Sequence, residues 1–256
     1  MGALAGHHAL VTGGGTGIGA AIARALGGAG AAVTLAGRRA APLDETAKSL
    51  PQAATVVADV TREEDCHAMV QAARAANGPL DIVVANAGAA ESAPAARTDL
   101  ALWQRMIATN LTGAFLTARA ALGDLTRKPE GEGRRLIFIA STAGLKGYPY
   151  VSAYCAAKHG VVGLARALAA ELATSGVAVN AVCPGYTETP MFEASVANIT
   201  AKTGRRADEA RMLLARDNAH GRLIAPEEVA QTVLFLCSPA AASINGEVIA
   251  IAGGQI

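Results

Sequence analysis

Short apolar runs alternate with longer amphipathic stretches along most of the chain. The apolar runs predict seven strands, at residues 8–12, 31–36, 55–58, 81–85, 136–140, 177–182 and 247–251. The stretches between them carry apolar residues at helical spacing and predict helices, including 63–76, 100–122, 156–174 and 226–237. Strands that alternate with helices predict an α/β fold with a parallel sheet covered on both faces. No break in composition divides the chain, so we expect a single domain over residues 1–256.

Three stretches depart from this alternation. Residues 127–135 are polar, contain Pro and Gly, and predict an exposed loop. Residues 191–222 mix short apolar groups with charge and predict an inserted helical flap over the site. The helix over 100–122 is weakest at 111–113, beside Asn110, and a functional role and a local kink are equally open there.

A glycine-rich loop, residues 13–19, follows the first strand and leads into a helix. Glycine allows the backbone to approach a pyrophosphate closely, and the helix N-terminus offers free N–H groups and a partial positive charge. A strand, a glycine-rich turn and a helix in this order predict a Rossmann-type dinucleotide-binding unit rather than a merely tight turn.

Arg38 and Arg39 follow the second strand, where an NAD site usually has an acidic residue that bonds the adenosine ribose. Guanidinium groups pair with phosphate oxygens, so two arginines here suit the 2′-phosphate of NADP. The alternative is that both side chains only solvate the following helix. NADP is therefore the favoured cofactor, with NAD as the alternative.

Tyr154 and Lys158 lie four residues apart at the start of a predicted helix and share one face of it. A nearby ammonium is expected to lower the pKa of a phenol, so that the tyrosine can exchange a proton with an alcohol or ketone. Ser141 follows the fifth strand, at the end where open α/β sheets bind their ligands. Such a Tyr/Lys pair is common on helix surfaces. A catalytic role is favoured here because the chain also contains the glycine-rich loop and Ser141.

Bulk composition narrows the possible partners. The 256 residues are 52% hydrophobic with a net charge of +1, which gives no reason to expect nucleic acid or a membrane surface. Four scattered cysteines without a C-x-x-C motif indicate reduced thiols in a cytoplasmic protein. We expect no secretory signal and no membrane span. We also expect no metal site, because His7 and His8 alone are too few ligands.

Together these residues resemble the short-chain dehydrogenase/reductase family over essentially the whole chain. The family's loop Thr-Gly-x-x-x-Gly-x-Gly matches residues 12–19, its Asn-Asn-Ala-Gly turn matches 85–88 except that Ala85 replaces the first Asn, and its Pro-Gly pair matches 184–185. The resemblance implies the following cofactor-binding residues, besides the two arginines: Gly13, Gly15, Thr16, Gly17, Ile18, Gly19, Asp59, Val60, Asn86, Ala87, Gly88, Tyr154, Lys158, Pro184, Gly185, Thr187 and Thr189.

The resemblance also implies a catalytic set of Asn110, Ser141, Tyr154 and Lys158. In it, Tyr154 exchanges a proton with the substrate oxygen, Ser141 polarises that oxygen, and Lys158 lowers the pKa of Tyr154 and bonds the nicotinamide ribose. Asn110 holds a water that links Lys158 to solvent. The implied activity is hydride transfer between a nicotinamide and a ketone or secondary alcohol.

The substrate and the assembly are less defined. A basic flap could receive the phosphates of a 3-oxoacyl or 3-hydroxyacyl thioester, although its acidic residues could equally balance that charge; small ketones, sugars and polycyclic substrates stay open. The resemblance implies a homotetramer, because in relatives of this kind the helices that correspond to 100–122 and 153–174 pack against their copies. Both stretches are rich in Ala and Leu beyond one core-facing stripe, which agrees with an interface. A non-catalytic dinucleotide sensor or scaffold is the alternative function. Epimerases or dehydratases of the extended relatives usually differ in glycine spacing and have a longer C-terminal domain.

Overall fold

Seven parallel strands form the centre of the computed structural model, which describes residues 2–127 and 133–256. The strands are β1 (His8–Thr12), β2 (Ala32–Gly37), β3 (Ala53–Val57), β4 (Ile82–Ala85), β5 (Arg134–Ile139), β6 (Val177–Pro184) and β7 (Val248–Ile251). Their order in the sheet is β3-β2-β1-β4-β5-β6-β7, and every neighbouring pair is parallel. The predicted doubly wound, seven-stranded parallel sheet is confirmed.

Helices connect the strands and cover both faces of the sheet. They are α1 (Gly17–Gly28), α2 (Ala40–Ala47), α3 (Glu63–Asn77), α4 (Leu100–Ile107), α5 (Gly113–Leu125), α6 (Ser152–Glu171), α7 (Pro190–Thr203), α8 (Ala207–Ala215) and α9 (Pro226–Cys237). A π-helical turn, Ala108–Thr112, joins α4 to α5. The predicted weak spot of the long helix is therefore a change of helical pitch.

The central strands are mostly apolar because both of their faces are buried. Every residue of β1, β4, β5 and β6 is buried. Leu10 of β1 packs in the core beneath α3, α5 and α6, whereas its neighbour Val11 packs in the core beneath α1 and α9. Successive side chains of a strand point to opposite faces, so one strand supplies both cores.

The prediction of an exposed loop over 127–135 is wrong at its end. Arg134 and Arg135 are buried and begin β5. The Arg135 guanidinium donates to the carbonyl oxygens of Leu236 (2.8 Å) and Ser238 (3.3 Å), which lie at the C-terminal end of α9. Free carbonyls at a helix end attract a cation, so this arginine is buried where its polarity predicts exposure. Residues 128–132 lie outside the described residues.

The polar stretch 191–222 contains α7, α8 and the segment that returns to α9. It has a small apolar cluster of its own, in which Phe192, Val196 and Ala210 are buried. Two hydrogen bonds join it to the loop after β4: Asn198 Nδ2 donates to Ser92 Oγ (2.8 Å), and Lys202 Nζ donates to the Ser92 carbonyl (3.1 Å). Among the residues with described positions, no helix has the length and apolar character needed to cross a membrane.

Candidate active site

Two pockets lie at the carboxyl ends of the strands, near the point between β1 and β4 where the strand order reverses. Ligands of open α/β sheets bind at such points. We name the two pockets the arginine pocket and the tyrosine pocket. The arginine pocket, of about 170 Å³, is lined by Gly13, Gly15, Thr16, Gly37, Arg38, Arg39, Pro42, Leu43, Ala58, Asp59, Val60, Ala87, Gly88 and Thr109. The tyrosine pocket, of about 160 Å³, is lined by Ile18, Ala90, residues 140–143, Tyr148, Val151, Tyr154, residues 184–187, Thr189, Met191, Phe192 and Ser195.

The glycine loop forms one wall of the arginine pocket. Gly13 and Gly17 have positive φ angles, +66° and +52°, which other residues adopt only with strain. A Cβ atom on Gly19 would lie 2.2 Å from the Gly13 carbonyl oxygen. The start of α1 therefore approaches the loop more closely than any side chain allows, and its free N–H groups face an open pocket. This cradle fits the pyrophosphate of a dinucleotide.

Asn86 and Thr12 fix the loop to the neighbouring strand. The Asn86 side chain donates to the Thr12 carbonyl (2.8 Å), and Thr12 Oγ1 accepts from the backbone N–H groups of Asn86 (3.0 Å) and Ala87 (3.1 Å). Of the predicted cofactor residues in this turn, Ala87 and Gly88 line the pocket, whereas the Asn86 amide is engaged within the protein.

Arg38, Arg39 and Asp59 lie at the far end of the arginine pocket. Both arginines are exposed, and among the described residues neither guanidinium forms a salt bridge. The Asp59 carboxylate accepts from the Thr61 N–H (3.0 Å) and hydroxyl (2.8 Å). These bonds hold the pKa of Asp59 below its usual value, and the nearby Arg38 contributes to the same shift.

Ser141, Tyr154 and Lys158 are brought together by β5 and α6. Ser141 lies two residues after the end of β5, and its hydroxyl accepts from the Ala143 N–H (3.1 Å). Tyr154 and Lys158 lie on the first turns of α6, with the Lys158 ammonium 5.7 Å from the Tyr154 ring centroid. Lys158 is buried and donates to the Ile139 carbonyl (2.8 Å). The predicted juxtaposition of these three side chains is present.

The expected lowering of the tyrosine pKa is wrong for this structure. Burial raises the pKa of Tyr154 to about 12, and the hydrogen bond with Ser141 opposes only part of that rise. Burial also lowers the pKa of Lys158 to about 8. Charged forms of both groups lose solvation in the pocket, and this loss outweighs the effect of the ammonium on the phenol. Near neutral pH, Tyr154 is a protonated phenol.

Asn110 is buried in the π-helical turn. Its amide nitrogen donates to the carbonyls of Ala89 (2.9 Å) and Met106 (3.0 Å), and its oxygen accepts from the Ala89 N–H (3.2 Å). A Cβ atom on Gly88 would lie 2.9 Å from Asn110 Oδ1 and 3.8 Å from Lys158 Nζ. Asn110 and Lys158 therefore flank the same glycine, and π-turns are frequent at functional sites.

The segment after β6 borders the tyrosine pocket. Pro184 ends the strand, and Thr187 donates to the Gly185 carbonyl (3.0 Å). Thr189 caps α7 by accepting from the Phe192 N–H (3.2 Å), and it lies against the glycine loop, 3.0 Å from the position of a Cβ on Gly17. The predicted Pro184, Gly185, Thr187 and Thr189 all line this pocket.

Sequence reasoning missed three residues near the site. Asn218 is fully buried and binds the N–H (3.0 Å) and carbonyl (2.9 Å) of Tyr186, so it fixes the segment beside Gly185; nothing marks it within its polar stretch. Tyr148 and Tyr186 line the tyrosine pocket. The rarity of tyrosine could have marked these two residues, because the chain has only four tyrosines and three of them line this pocket.

Residues 7–200 match a family model described as short chain dehydrogenase. The chain belongs to the short-chain dehydrogenase family. This short-chain dehydrogenase is 40% identical to cis-4-hydroxycyclohexanecarboxylate dehydrogenase of Sinomonas cyclohexanicum, over 98% of this chain and 97% of the relative. It is 37% identical to a putative ketoacyl reductase of Streptomyces coelicolor, over 96% of this chain and 95% of the relative.

A solved structure of an actinorhodin polyketide ketoreductase with NADPH is similar throughout. The TM-score is 0.92, the sequence identity is 36%, and 97% of each chain is covered. The predicted family is thus confirmed, and so is the predicted class of enzyme: a nicotinamide-dependent oxidoreductase that interconverts ketones and alcohols.

Proposed function

We propose that this short-chain dehydrogenase interconverts a ketone and a secondary alcohol in the tyrosine pocket, with Tyr154 as the proton-exchanging group. The observation that carries the proposal is that Ser141 and Tyr154 line the tyrosine pocket beside the glycine loop, with the Lys158 ammonium 5.7 Å from the Tyr154 ring centroid. A bound nicotinamide supplies or accepts the hydride. The raised pKa of Tyr154 keeps its hydroxyl protonated near neutral pH, which suits proton donation to a carbonyl oxygen.

The other catalytic residues act around that hydroxyl. Ser141 holds and polarises the substrate oxygen, because its side chain shares a hydrogen bond with Tyr154. The Lys158 ammonium, fixed by the Ile139 carbonyl, bonds the nicotinamide ribose and supports a developing phenolate. Asn110 lies across Gly88 from Lys158, and we propose that it holds the water through which Lys158 exchanges protons with solvent.

Replacing Tyr154 with Phe tests the proton-exchange role. The ring stays and only the hydroxyl is lost, so kcat is expected to fall roughly 10²- to 10⁴-fold while cofactor affinity is retained. Tyr150→Phe is the matched control, because Tyr150 is exposed and four residues away. A Tyr154→Phe variant that keeps more than about a tenth of kcat would show that another group exchanges the proton.

The preferred cofactor is NADP. Its support is the pair of exposed arginines at the end of β2, in a pocket that also contains Asp59. The residues proposed to bind the cofactor are those predicted from the resemblance, with Asn86 acting through the position of the glycine loop rather than by direct contact. A charge-assisted bond to a 2′-phosphate is about twice as strong as a neutral one.

Arg38→Ala tests the cofactor preference against Arg24→Ala. Arg24 is an exposed arginine on α1 that bonds Ser49 and does not line the arginine pocket. We expect Arg38→Ala to lower kcat/KM for NADPH about tenfold or more and to change that for NADH little, since only NADPH carries the 2′-phosphate. Equal losses for both cofactors, or a wild-type preference for NADH, would contradict the assignment.

Residues 191–222 are proposed as a substrate flap within the single domain. Met191, Phe192 and Ser195 of α7 line the tyrosine pocket, which supports this role. Two basic residues of the flap, Arg206 and Arg211, form ion pairs with Asp208 and Glu193. The flap therefore has fewer unpaired basic side chains for the phosphates of a 3-oxoacyl thioester than the sequence predicts.

We propose a cytoplasmic homotetramer. Leu100 (68% exposed), Trp103 (40%) and Phe115 (40%) of α4 and α5 are exposed large apolar residues, which supports association through these helices. The four cysteines are free and buried, in keeping with a reducing compartment. Light scattering at micromolar concentration tests the assembly, and a monomeric mass would contradict it.

A further inference from the structure

A pair of hydroxyl groups that the proposed reaction does not use lines the tyrosine pocket. Thr142 Oγ1 and Tyr148 Oη are 2.7 Å apart, and both residues line the pocket beside Ser141. Two hydroxyls carry two protons, and the bond between them uses one. In the described part of the chain, Thr142 Oγ1 has no other partner within hydrogen-bond distance, and the only further polar group close to Tyr148 Oη is the Gln255 amide. One donor and several acceptor lone pairs are therefore left over.

A third polar group lies close to this pair. The Gln255 side-chain amide has both its nitrogen and its oxygen buried without a hydrogen-bond partner among the described residues. It is close enough to Tyr148 to counteract part of the rise in the pKa of that phenol, which burial causes. Buried polar groups are normally satisfied, so the unused capacity of Thr142 and Tyr148, which line the pocket, indicates a site for a polar ligand group.

The walls around the pair are apolar and aromatic. The ring of Tyr186 packs edge-on against Tyr148 (6.3 Å between centroids) and against Phe192 (6.2 Å). All three residues line the pocket. An apolar pocket with a few placed polar groups selects a carbon skeleton by shape and orients it by those groups.

We propose that Tyr148, together with Thr142, binds a second oxygen of the substrate. The preferred substrate is then a compact ketone that carries another carbonyl or hydroxyl group a few carbons from the reacting carbonyl. Ser141 and Thr142 are consecutive, so their α-carbons are only about 3.8 Å apart, and a short skeleton can reach both hydroxyl sites. This inference rests on the proposed function, because it takes Ser141 and Tyr154 as the place of the reacting carbonyl.

Two matched pairs of ketones test the inference: hexan-2-one against hexane-2,5-dione, and cyclohexanone against cyclohexane-1,4-dione. We would measure kcat/KM with NADPH for wild type, Tyr148→Phe and the control Tyr150→Phe. The wild type should favour a dione by more than the factor of two that its two equivalent carbonyls provide. Tyr148→Phe should lower that preference about tenfold in at least one pair, the cost of one unmade hydrogen bond in a desolvated site.

Monoketone turnover distinguishes specificity from a structural effect. In Tyr148→Phe, kcat/KM should fall clearly less for the monoketones than for the diones, because the ring and its packing against Tyr186 remain and only the contact with the second oxygen is lost. The inference is overturned if the wild type shows no preference beyond two in either pair. It is also overturned if Tyr148→Phe leaves the preference unchanged or lowers turnover of both ketones equally.

A binding experiment separates this inference from the proposed function. Calorimetry on the protein loaded with NADP⁺, which has no hydride to transfer to a ketone, gives the Kd of each ketone without turnover, with and without Tyr148→Phe. A dione preference that depends on Tyr148 supports the inference even where Tyr154→Phe retains activity, an outcome that would overturn only the proposed role of Tyr154. Equal affinities for both members of each pair, with Tyr148 present, overturn the inference itself.

Discussion

Burial controls the ionisation of Tyr154, which lines the tyrosine pocket, and of its neighbour Lys158. Tyr154 holds its proton to about pH 12, and Lys158 loses its proton near pH 8. The sequence places both residues on one helix face but carries no information on how deeply that face is buried. A surface Tyr/Lys pair with the same spacing would titrate near its usual pKa values.

The pKa of Lys158 gives a testable pH dependence. Below pH 8 the side chain is an ammonium, and as the pH rises through about 8 it becomes a neutral amine that bonds the ribose more weakly. The Kd for NADPH should therefore increase between pH 7 and pH 9 in the wild type. Lys158→Met should bind NADPH more weakly and show no such change, whereas Lys146→Met should follow the wild type. A pH-independent Kd in the wild type would contradict the ribose contact.

At the scale of elements, close approach of α1 to the glycine loop shapes the arginine pocket. Gly19 lies where a Cβ atom would meet the Gly13 carbonyl oxygen at 2.2 Å and Asn86 Nδ2 at 2.5 Å. The motif predicts this glycine, but the atoms that require it come from β1 and from the turn after β4. Their position depends on the pairing of β1 with β4.

Gly19→Ala tests that packing. The added methyl group must displace the loop or the helix, which costs about 1–3 kcal/mol of stability, and the Kd for NADPH should increase at least about tenfold. Gly28→Ala is the control, because it lies at the end of the same helix with no atom within 4 Å of the added Cβ. That variant should bind NADPH normally. Normal binding and stability in Gly19→Ala would show that the loop adapts.

Helix α7 is joined to the loop after β4 by the two hydrogen bonds to Ser92. We expect the cofactor to leave between α7 and the loop after β4, so loss of the hydrogen bonds to Ser92 should speed its release. We expect Asn198→Ala to raise the rate of NADPH release about three- to tenfold in stopped-flow fluorescence. Thr203→Ala is the control, because Thr203 Oγ1 bonds the Ile199 carbonyl and the Arg205 N–H at the end of α7 and has no bond to Ser92. Equal release rates in both variants would mean that the bridge does not hold the flap.

At the scale of the whole molecule, a buried histidine in the sheet makes the stability of the fold depend on pH. His8 of β1 contacts the Gly78 carbonyl through Nδ1 and the Thr34 hydroxyl through Nε2, both at 2.8 Å. Because a carbonyl only accepts, Nδ1 carries the proton and Nε2 accepts from Thr34 in the neutral ring. Burial lowers the pKa of His8 below 6.5, so the folded protein resists protonation there.

Stability should therefore fall in mild acid. The unfolded chain takes up a proton near pH 6.5, so the contribution of His8 is complete above that pH and is lost as the pH falls through the lower folded-state pKa. Carboxylates with depressed pKa values, such as Glu228 at about 2, begin to lose their contributions only below their ordinary values near 4.5. Between pH 5 and 7, the Tm of the wild type should drop with pH, and His8→Gln should abolish most of that slope. The exposed His67→Gln variant should keep it.

The sequence determined the order of strands and helices, the glycine loop and the identity of the residues at the strand ends. These follow from local chemistry: continuous apolar runs, glycine where the backbone turns, and motif spacing along β1, β5 and α6. Strand β1 and helix α9 begin and end as predicted, because clear apolar boundaries mark them.

Only the tertiary structure decided what surrounds each side chain. It buried Arg135 against the end of α9, raised the pKa of Tyr154, and placed Tyr148, Tyr186 and Phe192 around one pocket. Each of these results depends on residues far apart in the chain. Desolvation and packing are set by such non-local neighbours, and the pattern of a single segment does not contain them.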